Sequence, residues 1–376
     1  MAEWKKVKLE DAALLKAGKF VPAQMIAAKQ DSVNIYPCFG GNGVRGFVPK
    51  FSHEGVFPII GRQGALCGNV NLAQGKFYAT EHAVVASPQN GNDSIWLYYA
   101  LVFANLNKYA TGQAQPGISV ETVNKVPFLL PPLEEQKKIA ATLSVWDSAI
   151  EKMEKLIDAK ENHFNQLMNK LIVINSSNSK WNSFTLKNVF DVVNRKNKNG
   201  NTNVLTSSAQ YGLVNQQEYY KKKIASSNTS GYYLLKKGDF AYNRSYSTGY
   251  PYGVVKRLDK YELGVLSTLY LCFSLKKEYQ SYSDFFVFLF ESGYLNNQLA
   301  LICREGARNH GLLNVSKEDF FNMKVQLPNE KEQQSIVCIL HNHSLELSLL
   351  KQQLENYKKQ KQGLMQKLLT GQWRVK

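Results

Sequence analysis

The sequence predicts an α+β chain in which two related mixed α/β domains alternate with two long helices. Two stretches carry apolar or long side chains at a strict 4-3 spacing, and a constant offset of 197 residues relates them. The segments before them are rich in aromatic, β-branched and glycine residues, which is typical of short strands joined by turns. The predicted segments are a first domain at 1–132, a first helix at 133–174, a second domain at 175–329 and a second helix at 330–376.

The two predicted helices repeat each other closely. The first ends in QLMNKLI at 166–172 and the second in GLMQKLL at 363–369. Five heptads favour a coiled-coil seam over a wider globular face, and roughly 40 residues give a helix of about 60 Å. A single heptad helix most often indicates dimerisation or a spacer, but two in one chain can pair with each other. The predicted seam residues are Ile139, Leu143, Trp146, Ile150, Met153, Ile157, Phe164, Leu167 and Leu171 in the first helix, and Ile336, Leu340, Leu347, Leu350, Leu354, Tyr357, Leu364 and Leu368 in the second.

The domains also correspond to each other, although more loosely. Each opens with a tryptophan, in WKKVKLEDA from position 4 and WNSFTLKNV from position 181. Each then has a strand that runs into a loop with an arginine near its start, Arg62 or Arg244. Each ends with a polar loop, a short helix or turn, and an apolar strand that leads into the long helix. A shared scaffold with divergent loops is what two readers of two different targets would need.

Composition narrows the class of protein. No run of 18 apolar residues occurs, and the first residues lack the features of a secretion signal, so we expect a cytoplasmic protein. The five cysteines are scattered, which favours reduced thiols and argues against a zinc site. The formal charge is +16, with +4 over residues 1–132 and +9 over residues 173–329. The excess therefore lies mainly outside the helices, and it favours a polyanionic partner.

The motif search finds no catalytic centre. Gly41, Gly43 and Gly46 form a G-x-G-x-x-G pattern, but strand or turn residues follow it where a dinucleotide loop needs a helix. We expect instead a hairpin that brings Arg45 to the surface. No phosphate-binding loop, HExxH motif, adenine-methyltransferase signature or nuclease core is found, although a dispersed catalytic site stays open.

Polar and basic loops remain as the functional signal in both domains. Arginine reads guanine, asparagine or glutamine reads adenine, and lysine and serine hold phosphates. A solvated surface is the commoner outcome for any one such residue, but as a class they favour DNA contact. Arg62 and Arg244 are the strongest single candidates. The candidate DNA-binding residues are Arg45, Arg62, Gln63, Gln113, Gln115, Arg195, Lys196, Lys198, Lys221, Lys222, Lys223, Arg244, Ser245, Tyr246, Arg304, Arg308, Asn309 and His310.

With these features in place, the whole chain resembles the specificity subunits of type I restriction–modification systems. The most specific parts are PPLEEQKKIAATLSVWDSAIEKMEKLI at 131–157, the two helix endings, and GRQGALCGNV with YATEHAVV in the first domain. The resemblance implies an α+β fold of two homologous mixed α/β target-recognition domains, alternating with two long helices that pair as an antiparallel coiled coil about a pseudo-twofold axis.

The resemblance also implies a function and partners. Each recognition domain would read one half of a bipartite site in double-stranded DNA, and the paired helices would set the spacer. The chain would dock two modification (methyltransferase) subunits, which methylate adenine N6, and restriction subunits would join them. S-adenosylmethionine, ATP and Mg²⁺ would then be held by partner subunits and no cofactor by this chain, which would not be catalytic by itself.

Two other functions stay open on the residues alone. One is a coiled-coil scaffold that binds proteins through its two globular domains. The other is a self-contained nuclease or methyltransferase with an unrecognised site, which turnover by the isolated chain would reveal.

Overall fold

The computed structural model describes residues 3–112, 116–178, 181–221, 228–246, 249–305 and 313–375. The chain forms two compact units. The first consists of Met1–Leu156 with Lys351–Lys376, and the second of Ile157–Leu350. Each unit therefore holds one globular domain and a segment of both long helices, which differs from the predicted division into four consecutive segments. Among the described residues, no helix combines the length and apolar character that crossing a membrane requires.

The globular part of the first unit is a six-stranded sheet with short helices around it. Its strands are β1 (Lys5–Lys8), β2 (Ala13–Ala17), β3 (Tyr36–Gly40), β4 (Gly43–Val48), β5 (His53–Gly61), β6 (Val70–Ala79), β7 (Ala83–Pro88) and β8 (Pro127–Leu130). Its helices are α1 (Leu9–Ala12), α2 (Ser94–Ala104) and α3 (Val120–Asn124), and α4 (Leu133–Met168) follows. The sheet order is β2-β7-β5-β6-β3-β4, and β1 pairs separately with β8.

The core of the first unit joins the globular part to both long helices. Asp93 begins α2, because its carboxylate accepts the backbone N–H of Trp96 at 2.7 Å and so caps the helix. Trp96 is 1% exposed and lies in the same apolar cluster as residues from the start of α4 and the end of the second long helix. Ile139 and Leu143 are predicted seam residues that belong to this cluster, as do Leu364 and Leu368. At the start of α4 and the end of the second long helix, the seam residues therefore also belong to the core of the globular domain.

The second unit contains a smaller sheet and several hairpins. After α4, Asn169–Ile174 forms a wider π-helical turn. The strands are β9 (Asn182–Thr185), β10 (Phe190–Val192), β11 (Leu205–Ser208), β12 (Gly212–Asn215), β13 (Tyr233–Lys236), β14 (Phe240–Asn243), β15 (Val254–Arg257), β16 (Leu263–Leu266), β17 (Leu271–Leu275), β18 (Arg304–Glu305), β19 (Leu313–Asn314) and β20 (Lys324–Leu327). The helices are α5 (Asn175–Asn178), α6 (Leu186–Val189), α7 (Gln216–Tyr220), α8 (Ser283–Glu291), α9 (Asn296–Ile302), α10 (Lys317–Asn322) and α11 (Glu330–Leu369).

An aromatic core holds the second unit together. The main sheet has the order β10-β17-β14-β15. Phe240 and Phe273 stack across β14 and β17 with ring centroids 5.8 Å apart, and Phe190 meets both rings edge-on. Such ring pairs add to the free energy gained by burying the area. Met168 of α4 and Ile336 and Leu340 of α11 lie in the same cluster, so this core again includes both long helices.

The two long helices run antiparallel in each unit. In the first unit Lys361 of α11 pairs with Asp147 of α4, and Lys358 pairs with Glu154 at 2.8 Å. Residue numbers therefore increase along α4 while those of their partners decrease along α11, which means that the two helices are antiparallel. In the second unit Lys160, which lies between the seam residues Ile157 and Phe164, donates to Glu346 at 2.7 Å, so an ion pair occupies this position between the helices.

Side chains on the two helices are sorted by face. Every predicted seam residue is buried or half-buried. Off the seam, Val145 is 69% and Leu349 is 55% exposed, whereas Ala140, Met168, Met365 and Leu369 are buried against the globular cores. The heptad phase therefore identifies covered positions along both helices, and the helix ends bury further apolar residues against the globular cores.

One anchoring arrangement is built twice. In the first unit the indole Nε1 of Trp4 donates to Glu135 at 2.6 Å, and in the second Trp181 donates to Glu332 at 3.0 Å. The two glutamates are 197 residues apart, which is the offset of the helix repeat. The strand after each tryptophan pairs antiparallel with the strand that leads into the long helix, β1 with β8 and β9 with β20. The internal repeat therefore extends from the helices into the scaffold of the domains.

Candidate nucleic-acid interface

In the first unit, strand ends converge where the sequence places its glycine-rich loop. β3 and β4 form the expected hairpin, and Arg45 lies exposed on β4. Gly61 ends β5, and a Cβ there would lie 1.8 Å from the carbonyl oxygen of Gly41, so only glycine fits. This close approach brings the hairpin against the loop after β5 and the turn before β7.

These elements form a cleft of about 470 Å³, called the first-domain cleft here, which is lined by Gly40–Arg45, Gln63, Gly64 and His82. Arg45 and Gln63 are predicted contact residues that the fold brings together. Asn42 and His82 join them, and the motif search did not single out either. The lining supplies amide, guanidinium and imidazole groups, and the amide and guanidinium groups are side-chain types that read base edges.

Charge in the cleft is mixed. Among the described residues, the guanidinium of Arg45 has no hydrogen bond or ion pair. The Nε2 atom of His82 lies 3.2 Å from an oxygen of Glu81. Burial raises the pKa of the Cys38 thiol, which the Arg45 guanidinium opposes and the Glu81 carboxylate reinforces. The guanidinium of Arg45 and the carboxylate of Glu81 therefore shift the pKa of this buried thiol in opposite directions.

The loop after β5 is held by a second polar loop. The Gly64 N–H donates to the Pro116 carbonyl at 2.9 Å, and the Ile118 N–H donates to the Arg62 carbonyl at 2.9 Å. Thr111 and Gly117 exchange two backbone hydrogen bonds of 2.8 Å. Arg62 and Gln63 therefore lie beside the two ends of the 113–115 segment. The predicted contacts Gln113 and Gln115 are in that segment, outside the described residues.

In the second unit, two predicted basic segments reach one edge of the main sheet. β10 and β14 both pair antiparallel with β17, on its two sides, so they run parallel to each other. The carboxyl ends of β10 and β14 lie beside the start of β17. The segment 244–246 follows β14 directly, and the segment 195–198 begins three residues after the end of β10. We call this the second-domain edge.

The arginines at the second-domain edge are engaged with the protein. Arg195 donates to the Leu234 carbonyl at 3.3 Å and to the carboxylate of Asp239, which is 5% exposed. Burial raises the pKa of Asp239, and the Lys236 N–H and the Arg195 guanidinium act in the opposite direction.

Arg244 also binds backbone groups. It donates to the Leu269 carbonyl at 3.1 and 2.8 Å and to the Val315 carbonyl at 3.3 Å. Three of its five donors are used in this way, which leaves two for another ligand. Its side chain thus fixes the loops at this edge whether or not it also contacts DNA.

The other predicted residues at this edge differ in exposure and in their contacts with the protein. Lys198 is exposed, and Tyr246 is 64% exposed. Lys196 donates to the Gly231 carbonyl at 2.8 Å and lies over the ring of Tyr233, 4.1 Å from its centre. The backbone N–H of Ser245 donates to the Asn243 side chain at 3.1 Å.

A cluster of exposed tyrosines accompanies the lysine run of the second domain. Tyr211, Tyr219 and Tyr220 are 64%, 45% and 45% exposed. The rings of Tyr219 and Tyr220 are 4.8 Å apart, and Tyr211 lies 6.5 Å from Tyr219. Lys221 follows directly, exposed and in the left-handed backbone region with φ of 52°. The two adjacent tyrosines before the lysine run could have indicated this cluster in the sequence, but the search for basic loops did not select them.

The remaining predicted contacts have no described side chain. Lys222, Lys223, Arg308, Asn309 and His310 lie outside the described residues, and Arg304 is described only as part of β18. Within the described part of the chain, no three His, Cys, Asp or Glu side chains are grouped so as to hold a metal ion.

Comparison with known proteins identifies the family. Residues 1–162 and 178–358 match the family described as the type I restriction modification DNA specificity domain. The chain belongs to this family. The two matched ranges each contain one domain, and this agrees with the duplication seen in the anchors and the helices.

Several members of the family are similar to this chain. The type I restriction enzyme EcoprrI specificity subunit of Escherichia coli is 44% identical over 146 residues, which are 39% of this chain and only 36% of that relative. The type I restriction enzyme MjaVIII specificity subunit of Methanocaldococcus jannaschii is 24% identical, over 100% of this chain and 94% of the relative. The crystal structure of a type I restriction-modification system S subunit from M. genitalium has a TM-score of 0.62 at 18% identity, with 98% of this chain and 96% of that chain covered. At this identity the likeness shows the fold, which is that of an S subunit.

Proposed function

We propose that the chain is the DNA-recognition subunit of a type I restriction–modification complex. Each domain would read one half of a bipartite DNA site, and the paired helices would set the spacer and dock the modification subunits. One observation carries the proposal: the same Trp–Glu anchor at the start of a long helix is built twice, 197 residues apart, while the polar loops of the two domains carry different residues. A duplicated scaffold with two different surfaces suits a reader of two different half-sites.

In this proposal the chain binds and positions, and its partners do the chemistry. The modification subunits would hold S-adenosylmethionine and methylate adenine N6 after extruding the base. Restriction subunits would use ATP and Mg²⁺. The complex would act in the cytoplasm, where the five cysteines, all unpaired in the structure, would stay reduced.

Salt dependence tests whether DNA is the main ligand. The chain, assembled with its modification subunit, is titrated with duplex DNA over a series of salt concentrations. If about 6–10 phosphates are held, affinity falls by roughly 10³- to 10⁵-fold between about 50 and 200 mM salt. An affinity that stays flat with salt would favour the scaffold alternative, in which the domains bind proteins.

Two basic residues of the second-domain edge are expected to behave differently. Arg195→Ala removes the cation beside buried Asp239, so it should lower the free energy of unfolding by roughly 1–3 kcal/mol. Lys198→Ala, at an exposed position, should leave unfolding unchanged and reduce the log–log salt slope of DNA binding by about 1. Denaturant unfolding and the salt titration measure the two effects. Equal effects of both variants on unfolding would contradict this assignment.

A further inference from the structure

The exposed tyrosines of the second domain and the lysine after them form one surface. We call Tyr211, Tyr219, Tyr220 and Lys221 the tyrosine surface. Within the described part of the chain, its three hydroxyls make no hydrogen bond and its ammonium makes no ion pair. Residues 216–223 contain three lysines and one glutamate, so this segment is basic. Four donors at an exposed, basic position are therefore open to an anionic ligand.

The rings of the tyrosine surface are carried by a capped helix and a hairpin. Asn215 begins α7, because its Oδ1 accepts the N–H groups of Gln217 and Glu218 at 2.9 and 3.2 Å. In the turn between β11 and β12, the N–H of Tyr211 donates to Ser208 Oγ at 3.2 Å. These contacts fix the backbone that presents the rings.

The tyrosine surface is connected to the second-domain edge through the residues before β17. The hydroxyl of Tyr270 accepts the N–H of Ser207 in β11 at 3.3 Å. The preceding residue, Leu269, is the one whose carbonyl accepts from Arg244. Burial raises the pKa of the Tyr270 hydroxyl, and Tyr220 adds to this rise. The tyrosine surface and the edge are therefore parts of one continuous face of the second domain.

The groups of the tyrosine surface suit the DNA backbone better than a base edge. Tyrosine hydroxyls and lysine ammonium groups are donors that bind phosphate oxygens. A phenolic hydroxyl offers one donor, so it does not form the two-bond pair by which an amide or a guanidinium reads a base. The Glu218 carboxylate lies 3.6 Å from Lys260 Nζ and accepts from the Tyr261 hydroxyl at 3.3 Å, so a nearby cation offsets its charge.

We propose that the tyrosine surface binds phosphates of the DNA backbone beside the half-site read by the second domain, and that it holds the duplex without selecting bases. The inference rests on the proposed DNA-reading function of this domain. It assigns positioning to the tyrosine surface, and it predicts that loss of this surface changes affinity but not sequence preference.

Two variants remove the proposed phosphate donors and keep the side-chain shape. Tyr219→Phe combined with Tyr220→Phe removes two hydroxyls and retains both rings, and it should weaken DNA binding by roughly fivefold for each hydroxyl that holds a phosphate. Lys221→Gln removes one charge and should lower the log–log salt slope by about 1. Lys237→Gln is the matched control, because Lys237 is an exposed lysine of the same domain whose ammonium already donates to Glu262 at 2.8 Å.

The experiment uses the full chain assembled with its modification subunit and two duplexes, one that carries the methylated motif and one with both half-sites scrambled. Both test variants should weaken binding of the two duplexes by the same factor and leave the methylated motif unchanged, while Lys237→Gln behaves as the parent.

The inference is overturned if both test variants bind the duplexes as tightly as the parent, which would favour a protein-docking role for the surface. It is also overturned if they change the motif or weaken only the specific duplex, because the surface would then read bases. Thermal unfolding checks that the variants remain folded. A parent complex that binds both duplexes equally would instead contradict the proposed function.

Discussion

Adding one heptad to each long helix is expected to lengthen the DNA spacer by about three base pairs and to leave both half-sites unchanged. Seven helical residues add about 10 Å at 1.5 Å each, and a base pair of duplex rises about 3.4 Å. An insertion of seven residues preserves the heptad phase, so the covered and exposed faces of each helix are kept.

The ion pairs between the helices show where to insert. Glu154 pairs with Lys358 in the first unit, and Lys160 pairs with Glu346 in the second. The insertion in α4 therefore belongs between Glu154 and Lys160, and that in α11 between Glu346 and Lys358. The motif methylated by the assembled complex gives the spacer directly. An insertion in α4 alone is the matched control and should abolish the bipartite motif, because it breaks the register of the pair. A change in the half-sites themselves would contradict the role of the helices as a ruler.

Glu135→Gln is expected to destabilise the first unit by several degrees more than Glu332→Gln destabilises the second. Glu135 accepts from Trp4 and also from Arg374, at 2.7 and 2.9 Å, and its side chain is only 10% exposed. The Arg374 guanidinium also lies over the Trp4 ring, 5.4 Å from its centre. Glutamine can still accept from the indole but removes the charge that binds the guanidinium. Glu332 has no Lys or Arg partner within ion-pair distance among the described residues, so its variant controls for the loss of charge alone.

The same contact predicts a pH dependence. Hydrogen bonding to Arg374 lowers the pKa of Glu135 below its ordinary 4.5, although burial acts in the opposite direction. A group with a lowered folded pKa contributes stability that is present above the unfolded pKa and is lost as pH falls through the folded value. The difference between the parent and Glu135→Gln should therefore be full at neutral pH and shrink below about pH 4.5. Thermal unfolding across pH, with hydrogen exchange to assign the loss to residues 1–156, measures this. Equal losses in the two variants would contradict the anchoring role of Arg374.

Local periodicity made the long helices predictable. The predicted ranges of 133–174 and 330–376 compare with Leu133–Met168, extended by a π-helical turn, and Glu330–Leu369. The hairpin at Arg45 was also predictable, because glycines and alternating apolar residues are local signals. What could not be predicted is that the helix ends join the globular cores, since that depends on residues far apart in the chain.

The candidate site was less predictable for the same reason. Arg195 and Arg244 look like free basic residues in their loops, but their partners lie between 25 and 71 residues away. His82 carries no motif, and it acquires a place in the cleft only because Gly61 lets the Gly41 backbone approach. Residue type and loop composition indicate candidate surfaces for DNA contact, whereas tertiary contacts decide which donors remain free to bind a ligand.

The most direct test of two separate half-site readers is the methylome of cells that express this chain with its modification subunit, compared with cells that express the modification subunit alone. The proposed function predicts a new N6-methyladenine motif in two parts, separated by a fixed gap of unspecified bases. An undivided motif, or no new methylation although both proteins co-purify, would contradict it.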